Sequence, residues 1–115
     1  MLLSVLDILR THRFRFTREA ELQEAIFALL TAANIDFARE CILTPTDRID
    51  FLVGGLGIEV KIDGSLAALT RQAHRYTALP SIESLLVVTS RFRLTDLPPT
   101  LNGKRVECFR VGSFL

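Results

Sequence analysis

Hydrophobic residues recur at helical spacing in three segments of the chain. The first segment covers residues 2–11, where Leu3, Leu6 and Leu9 or Ile8 are spaced for one helical face. Thr17 is a good N-cap for a second helix over residues 18–34. The predicted apolar face of that second helix consists of Leu22, Ile26, Leu29 and Ala33. Residues 64–80 return to helical spacing, and Pro80 closes this third helix.

Short apolar segments bounded by turn residues predict five strands. Three of them lie between the second and third helices, and two follow the third helix: 36–43, 47–53, 56–62, 84–90 and 104–111. The order is helix, three-strand meander, helix, strand, strand, which predicts an α/β fold with a mixed central sheet flanked by helices. Because the chain has no repeat, low-complexity stretch or linker, we expect residues 1–115 to form a single domain.

Composition narrows the class of protein. The chain has 115 residues, of which 49% are hydrophobic and 23% charged, as in a packed globular domain. No apolar run approaches the length of a membrane span, so no membrane partner is expected. Cys41 and Cys108 have no Cys or His neighbour at metal-ligand spacing, which favours reduced thiols and a cytoplasmic location.

Paired glycines in the middle of the chain predict a hairpin that brings two acids together. If Gly54 and Gly55 form a two-residue turn, Val53 pairs with Leu56, and counting outward places Asp50 opposite Glu59. Directly opposite residues have Cβ atoms about 4.5 to 5.5 Å apart, where like charges repel. A divalent cation would neutralise this repulsion.

Strand alternation adds a lysine to the two acids. Residues 59, 61 and 63 (Glu, Lys, Asp) point to one face of the sheet, and residues 58, 60 and 62 (Ile, Val, Ile) to the other. Mg²⁺ prefers one or two carboxylates with waters or phosphate completing its coordination. The alternative interpretation is an exposed sheet face on which Lys61 bridges the two acids for charge balance.

These residues resemble the signature of a known family. "RID" at 48–50 and "EVK" at 59–61 are similar to motif elements of the PD-(D/E)XK nuclease superfamily, with Ile49 in place of the usual proline. Gln72 and Tyr76, four residues apart on the third helix, resemble the Gln-x-x-x-Tyr element of its recombination-exonuclease-like branch. The resemblance covers about residues 17–90.

The resemblance implies a restriction-endonuclease-like αβββαβ core and a DNA nuclease that uses Mg²⁺, for which Mn²⁺ could substitute. It implies that Asp50, Glu59 and the carbonyl of Val60 hold the metal. Lys61 would position or deprotonate the attacking water, and Gln72 would fix Lys61 or the phosphate. The family also has a helical glutamate, for which Glu19, Glu21 and Glu24 compete. Glu19 lies nearest the apolar side of its helix and is our choice as a further catalytic residue.

Arginine accounts for twelve of the fourteen basic residues, although the net charge is only +1. Arg71 and Arg75 share a face of the third helix, and with Tyr76 they form the predicted DNA-binding group, to which Arg13 and Arg15 could add. The sequence does not distinguish an exonuclease, which cleaves at ends, from an endonuclease, which cleaves within a strand. A homodimer or a higher homo-oligomer is also compatible with it. The alternative function is a nuclease-fold subunit that binds DNA or a protein without cutting.

Overall fold

The computed structural model describes residues 1–112 and contains three α-helices, one 3-10 turn and six strands. The helices are α1 (Leu2–Arg10), α2 (Glu19–Ala32) and α3 (Leu66–Thr77). The strands are β1 (Ala38–Thr44), β2 (Asp47–Val53), β3 (Leu56–Val60), β4 (Ser84–Thr89), β5 (Thr100–Leu101) and β6 (Lys104–Arg110). The last three residues of the predicted domain, 113–115, lie outside this description.

All six strands belong to one mixed sheet with the order β1-β2-β3-β4-β6-β5. The meander β1–β2–β3 is antiparallel, as predicted, whereas β3, β4 and β6 run parallel. α3 is the crossover between β3 and β4, as a parallel connection requires. The α/β class and the mixed sheet of the sequence-based prediction are therefore confirmed.

The sheet is covered on both faces, so its central strands are almost wholly apolar. In β4, Leu86 and Val88 pack in the core with α1 and α2, whereas Leu85 and Val87 pack in the core with α3. All five residues of β3 are buried. Strands that are buried on both faces read as continuous hydrophobic runs, which explains the pattern of β3 and β4.

The glycines between β2 and β3 set the hairpin register as predicted. Gly54 adopts a φ of +59°, which side chains with a Cβ rarely tolerate, and Val53 pairs with Leu56 across a two-residue turn. Further along β3, a Cβ at Gly57 would lie 2.5 Å from Ile49 Cδ1, so this position has room only for glycine without repacking.

Three helix details differ from the sequence-based predictions. Leu3 is 62% exposed, because Leu2, Val5, Leu6 and Leu9 form the buried face of α1. In α2, Leu30 completes the buried face in place of Ala33, which is exposed. Thr17 does not cap α2: its N–H and hydroxyl both donate to Glu21 Oε1, and Arg18 is the N-cap.

Two short elements were missed in the region between β4 and β6. Residues Phe92–Leu94 form a 3-10 turn, and Thr100–Leu101 form the edge strand β5 within the segment predicted as turns. Elements of two or three residues have too few positions to show a hydrophobic period. In residues 1–112, no helix is long and apolar enough to cross a membrane.

Candidate active site

A cavity of about 380 Å³ opens where α2, α3 and the β1–β2–β3 meander meet. We name it the acidic cavity because five carboxylate residues line it against three basic ones. Its lining comprises Glu19, Gln23, Glu40, Thr46, Asp47, Arg48, Asp50, Glu59, Lys61, Gln72, Arg75 and Tyr76. The predicted catalytic residues Glu19, Asp50, Glu59, Lys61 and Gln72 are therefore brought together.

Asp50 and Glu59 are each held by the backbone of the opposite strand. Val60 N–H donates to Asp50 Oδ2 at 2.7 Å, and Asp50 N–H donates to Glu59 Oε1 at 3.3 Å. The paired residues of β2 and β3 extend as far as Phe51–Ile58, and Asp50 and Glu59, one residue further along, come together through these backbone-to-side-chain bonds. These bonds orient the carboxylates between β2 and β3 without neutralising their charge.

Burial makes this pair of acids unfavourable in the ionised state. Glu59 is only 5% exposed, and burial, followed by repulsion from Asp50, raises its pKa to about 8. Burial also raises the pKa of Asp50, and the charge of Glu19 adds to this, although the hydrogen bond from Val60 opposes it. Strongly perturbed carboxyl groups in a cavity are typical of functional sites.

Lys61 acts on the two acids through its charge: burial raises the pKa of Asp50 and Glu59, and the Lys61 ammonium opposes this for both. Within residues 1–112, none of the salt bridges shorter than 4 Å involves Lys61. Its backbone N–H donates to Val88 O, which ties this residue to β4, while its side chain lines the acidic cavity. Of the alternative interpretation, the exposed sheet face is wrong, because Glu59 is buried, whereas charge balance by Lys61 stays open.

The three helical glutamates separate as the helical geometry predicted. Glu19 Oε1 accepts a hydrogen bond from Ile62 N–H at 3.0 Å, so this side chain reaches the end of β3. Glu21 turns back to the residues before α2, where the hydrogen bonds from Thr17 lower its pKa to about 2. Glu24 pairs with Arg39 of β1. Only Glu19 of the three lines the acidic cavity.

Gln72 and Tyr76 form a hydrogen-bonded chain along α3. Gln72 Nε2 donates to Tyr76 Oη at 2.9 Å, and Tyr76 Oη donates to Arg48 O at 2.8 Å. Tyr76 is 1% exposed, so its assignment to the DNA-binding group is corrected: its hydroxyl anchors α3 to β2 and has little surface for DNA. Gln72 contacts Tyr76 and not Lys61, its predicted partner.

A second depression of about 320 Å³, the α3 cleft, lies along the start of α3. Its lining comprises Lys61, Asp63, Gly64, Ser65, Ala68, Leu69, Arg71, Gln72 and Arg75. Lys61, Gln72 and Arg75 line both depressions, so these side chains form the ridge between them. Asp63, which alternation grouped with Glu59 and Lys61, is exposed in the α3 cleft because β3 ends at Val60.

The predicted arginine group is only partly assembled. Arg71 and Arg75 line the α3 cleft together, but Arg75 Nε is paired with Asp47 Oδ1 at 3.0 Å. Arg13 lies on a different cavity, between the end of α1 and the end of β6. A contribution of Arg13 and Arg15 from the loop before α2 to DNA binding stays a prediction.

Sequence reasoning missed two acids of the cavity, Glu40 and Asp47. The β1–β2 register brings Glu40 level with Asp50, and Glu40 has a positive φ of 50° that interrupts the regular pairing. Asp47 is fixed by the Thr44 hydroxyl at 3.1 Å and by Arg75. In the sequence, only the alternation of residues along β1 could have indicated that Glu40 faces the cavity. No feature of the neighbouring sequence could have indicated that Asp47 pairs with Arg75.

The donor set suits a hard divalent cation that keeps most of its own waters. Within residues 1–112, no group of three or more His, Cys, Asp or Glu side chains has the arrangement of a metal site. Mg²⁺ is commonly bound through one or two carboxylates, and Asp50 and Glu59 supply two. Val60 contacts the site through its N–H, to Asp50, and its predicted carbonyl contact stays a prediction.

Comparison with protein-family models, curated proteins and solved structures finds no significant match to this chain.

Proposed function

We propose that this protein is a divalent-metal-dependent DNA nuclease with a restriction-endonuclease-like core. The observation that carries the proposal is the pair of half-buried Asp50 and buried Glu59, whose pKa values are raised mainly by burial, beside Lys61 in a cavity with more acidic than basic residues. Two neighbouring carboxylates, one of them buried, repel each other when ionised and cost stability, and a metal held between them would offset this cost. The order of elements from α2 to β4 also agrees with the αβββαβ core.

In this proposal Asp50 and Glu59 hold Mg²⁺ or Mn²⁺. When bound, the metal supplies positive charge that stabilises the phosphate in the transition state and favours formation of the nucleophile. The net reaction is hydrolysis: a water oxygen bonds to phosphorus, the bond from phosphorus to one ester oxygen breaks, and that oxygen takes a proton.

The remaining roles belong to side chains that line the cavity. Lys61 Nζ orients the attacking water or takes its proton, and Gln72, fixed through Tyr76, faces the phosphate. Glu19, a third carboxylate of the cavity, binds the metal through water or holds a second ion. Arg71 in the α3 cleft contacts the DNA backbone beyond the cleaved bond.

A plasmid nicking assay tests the function directly. Supercoiled DNA is incubated with the protein and Mg²⁺ or Mn²⁺, with EDTA and with Ca²⁺ as controls, and the nicked and linear products are measured. We expect cleavage with Mg²⁺ or Mn²⁺ and none with EDTA. DNA binding with no cleavage under any metal condition would favour the alternative of a non-cleaving nuclease-fold subunit.

Lys61→Ala should reduce turnover by about 10²- to 10⁴-fold while Mg²⁺ still binds, because a water-positioning or general-base group is lost from an assembled site. Metal affinity is measured by calorimetry and turnover by the nicking assay. Lys104→Ala is the matched control, because Lys104 is the only other lysine. It lies on β6, and its ammonium donates to Leu79 O in the segment after α3. Equal losses of metal affinity and turnover in Lys61→Ala would make Lys61 a structural partner of the acids.

Arg71→Ala should weaken DNA binding for all sequences and flatten its salt dependence by roughly one unit of slope, as for one lost phosphate contact. Arg75→Ala should have a smaller effect, since Asp47 already offsets its charge. Affinity is measured with Ca²⁺ across a salt series. Arg105→Ala, an exposed arginine paired with Glu107, serves as the control. An unchanged slope in Arg71→Ala would mean that Arg71 only solvates α3.

A further inference from the structure

The 3-10 turn after β4 presents an aromatic ring to solvent. Phe92 is 77% exposed, more than any other aromatic side chain in residues 1–112. A single exposed apolar residue is common on protein surfaces and does not by itself indicate a partner. The surroundings of this ring distinguish it from such a residue.

One arginine lies over the ring and two more are its neighbours in the chain. Arg91 and Arg93 flank it in the chain, and the Arg110 guanidinium carbon, at the end of β6, lies 5.8 Å from the ring centroid. None of the ion pairs within residues 1–112 involves these three arginines. We name Arg91, Phe92, Arg93 and Arg110 the Phe92 patch. The Phe92 patch combines one flat exposed apolar ring with positively charged side chains.

The Phe92 patch is attached to the segment that leaves the proposed active site. Arg91 Nε donates to Ile62 O at 3.1 Å, and Arg93 donates to Gly64 O. On its other side, Ile62 donates its N–H to Glu19 of the acidic cavity, and Gly64 lines the α3 cleft. Each guanidinium has five donors and uses one here, so donors remain for a ligand.

We propose that the Phe92 patch binds a single-stranded segment of DNA next to the cleavage site, with Phe92 stacked on an unpaired base. The proposal rests on the nuclease function above and specifies its substrate class. A phenyl ring stacks only on a base whose face is free, which excludes the interior of an intact duplex. The three arginines complement the phosphates on either side of that base. An uncharged protein partner could pack against the ring, but it would not complement the positive charges of the arginines.

The test measures affinity for a fluorescent oligothymidylate by anisotropy, in EDTA so that cleavage plays no part. Phe92→Ala should weaken binding by about 5- to 100-fold, the range for loss of one base–aromatic stack. Phe92→Trp should restore binding. An abasic strand of equal length should bind Phe92→Ala and wild type equally. Leu3→Ala, which truncates an exposed apolar residue of α1, is the control and should bind like wild type.

Three results would overturn the proposal. The first is an unchanged affinity of Phe92→Ala for oligothymidylate, and the second is an equal loss for the thymidine and abasic strands, since stacking needs a base. The third is loss of self-association in Phe92→Ala without a change in DNA affinity, which would make the patch an interface between copies. Because binding is measured without metal, its outcome is independent of the nicking assay, so failure of one proposal is distinguishable from failure of the other.

Discussion

Asp50→Asn should reduce metal-dependent DNA cleavage on the order of 10³-fold or more, because it removes a charged metal ligand from the centre of the site. The fold should be retained. Asparagine keeps a side-chain oxygen that can accept the hydrogen bond from Val60 N–H, and it relieves the repulsion of Glu59. The free energy of unfolding without metal should therefore stay equal or rise.

The choice of asparagine matters for reading this experiment. Asp50→Ala would leave Val60 N–H without its partner, at a cost of about 1–3 kcal/mol if no water replaces the lost acceptor. Cleavage is measured by plasmid nicking and stability by urea denaturation. Asp63→Asn is the matched control, because Asp63 follows Lys61 closely but is exposed in the α3 cleft. Near wild-type cleavage by Asp50→Asn would rule out the site as proposed.

Without divalent metal, the protein should become less stable as the pH rises from 4.5 to about 8. The Glu59 carboxyl has its ordinary pKa of 4.5 in the unfolded chain and a pKa of about 8 in the folded protein, mainly because it is buried. Between these values the folded state binds more protons, so each rise in pH favours unfolding. The stabilisation is complete below pH 4.5 and is lost as the pH passes 8. It amounts to at most about 5 kcal/mol.

Glu59→Gln should remove most of this pH dependence. Glutamine keeps an oxygen that can accept the hydrogen bond from Asp50 N–H, but it has no proton to lose. The free energy of unfolding is measured by urea denaturation from pH 4.5 to 9 in EDTA. Glu24→Gln, an exposed glutamate that pairs with Arg39, should retain the wild-type slope. Parallel curves for wild type and Glu59→Gln would show that Glu59 is not the titrating group.

The hairpin at the centre of the site could be predicted because its geometry is local. A two-residue turn at Gly54–Gly55 fixes which residues of β2 and β3 are opposite, and the structure has this register. The same reasoning from 100° per residue selected Glu19 over Glu21 and Glu24 as the glutamate that reaches the end of β3. In both cases the spacing along one element, or across one turn, was enough.

Predictions at the ends of elements were weaker. Leu30 faces the core although Ala33 fits the helical spacing, because α2 ends at Ala32 and the chain turns away. Glu59, Lys61 and Asp63 were predicted to share one face of a strand, but β3 stops at Val60, and Asp63 lines the α3 cleft with Lys61 without reaching the acidic cavity. The position where an element ends depends on the segments that pack against it, and the spacing of residues within the element carries no information about them.

By itself, the sequence determined the α/β class, the order of the elements from α1 to β4, and the hairpin register that brings Asp50 near Glu59. These features follow from hydrophobic period and turn geometry, which act over a few residues. Only the tertiary structure decided that Glu59 is buried, that Glu40 and Asp47 join the cavity, that Tyr76 is an anchor, and that Arg91 and Arg93 hold the segment after β3. Burial and contacts between distant segments depend on the position of β3 between β2 and β4 and on which helix covers each face of the sheet. The spacing of neighbouring residues does not determine either of these features.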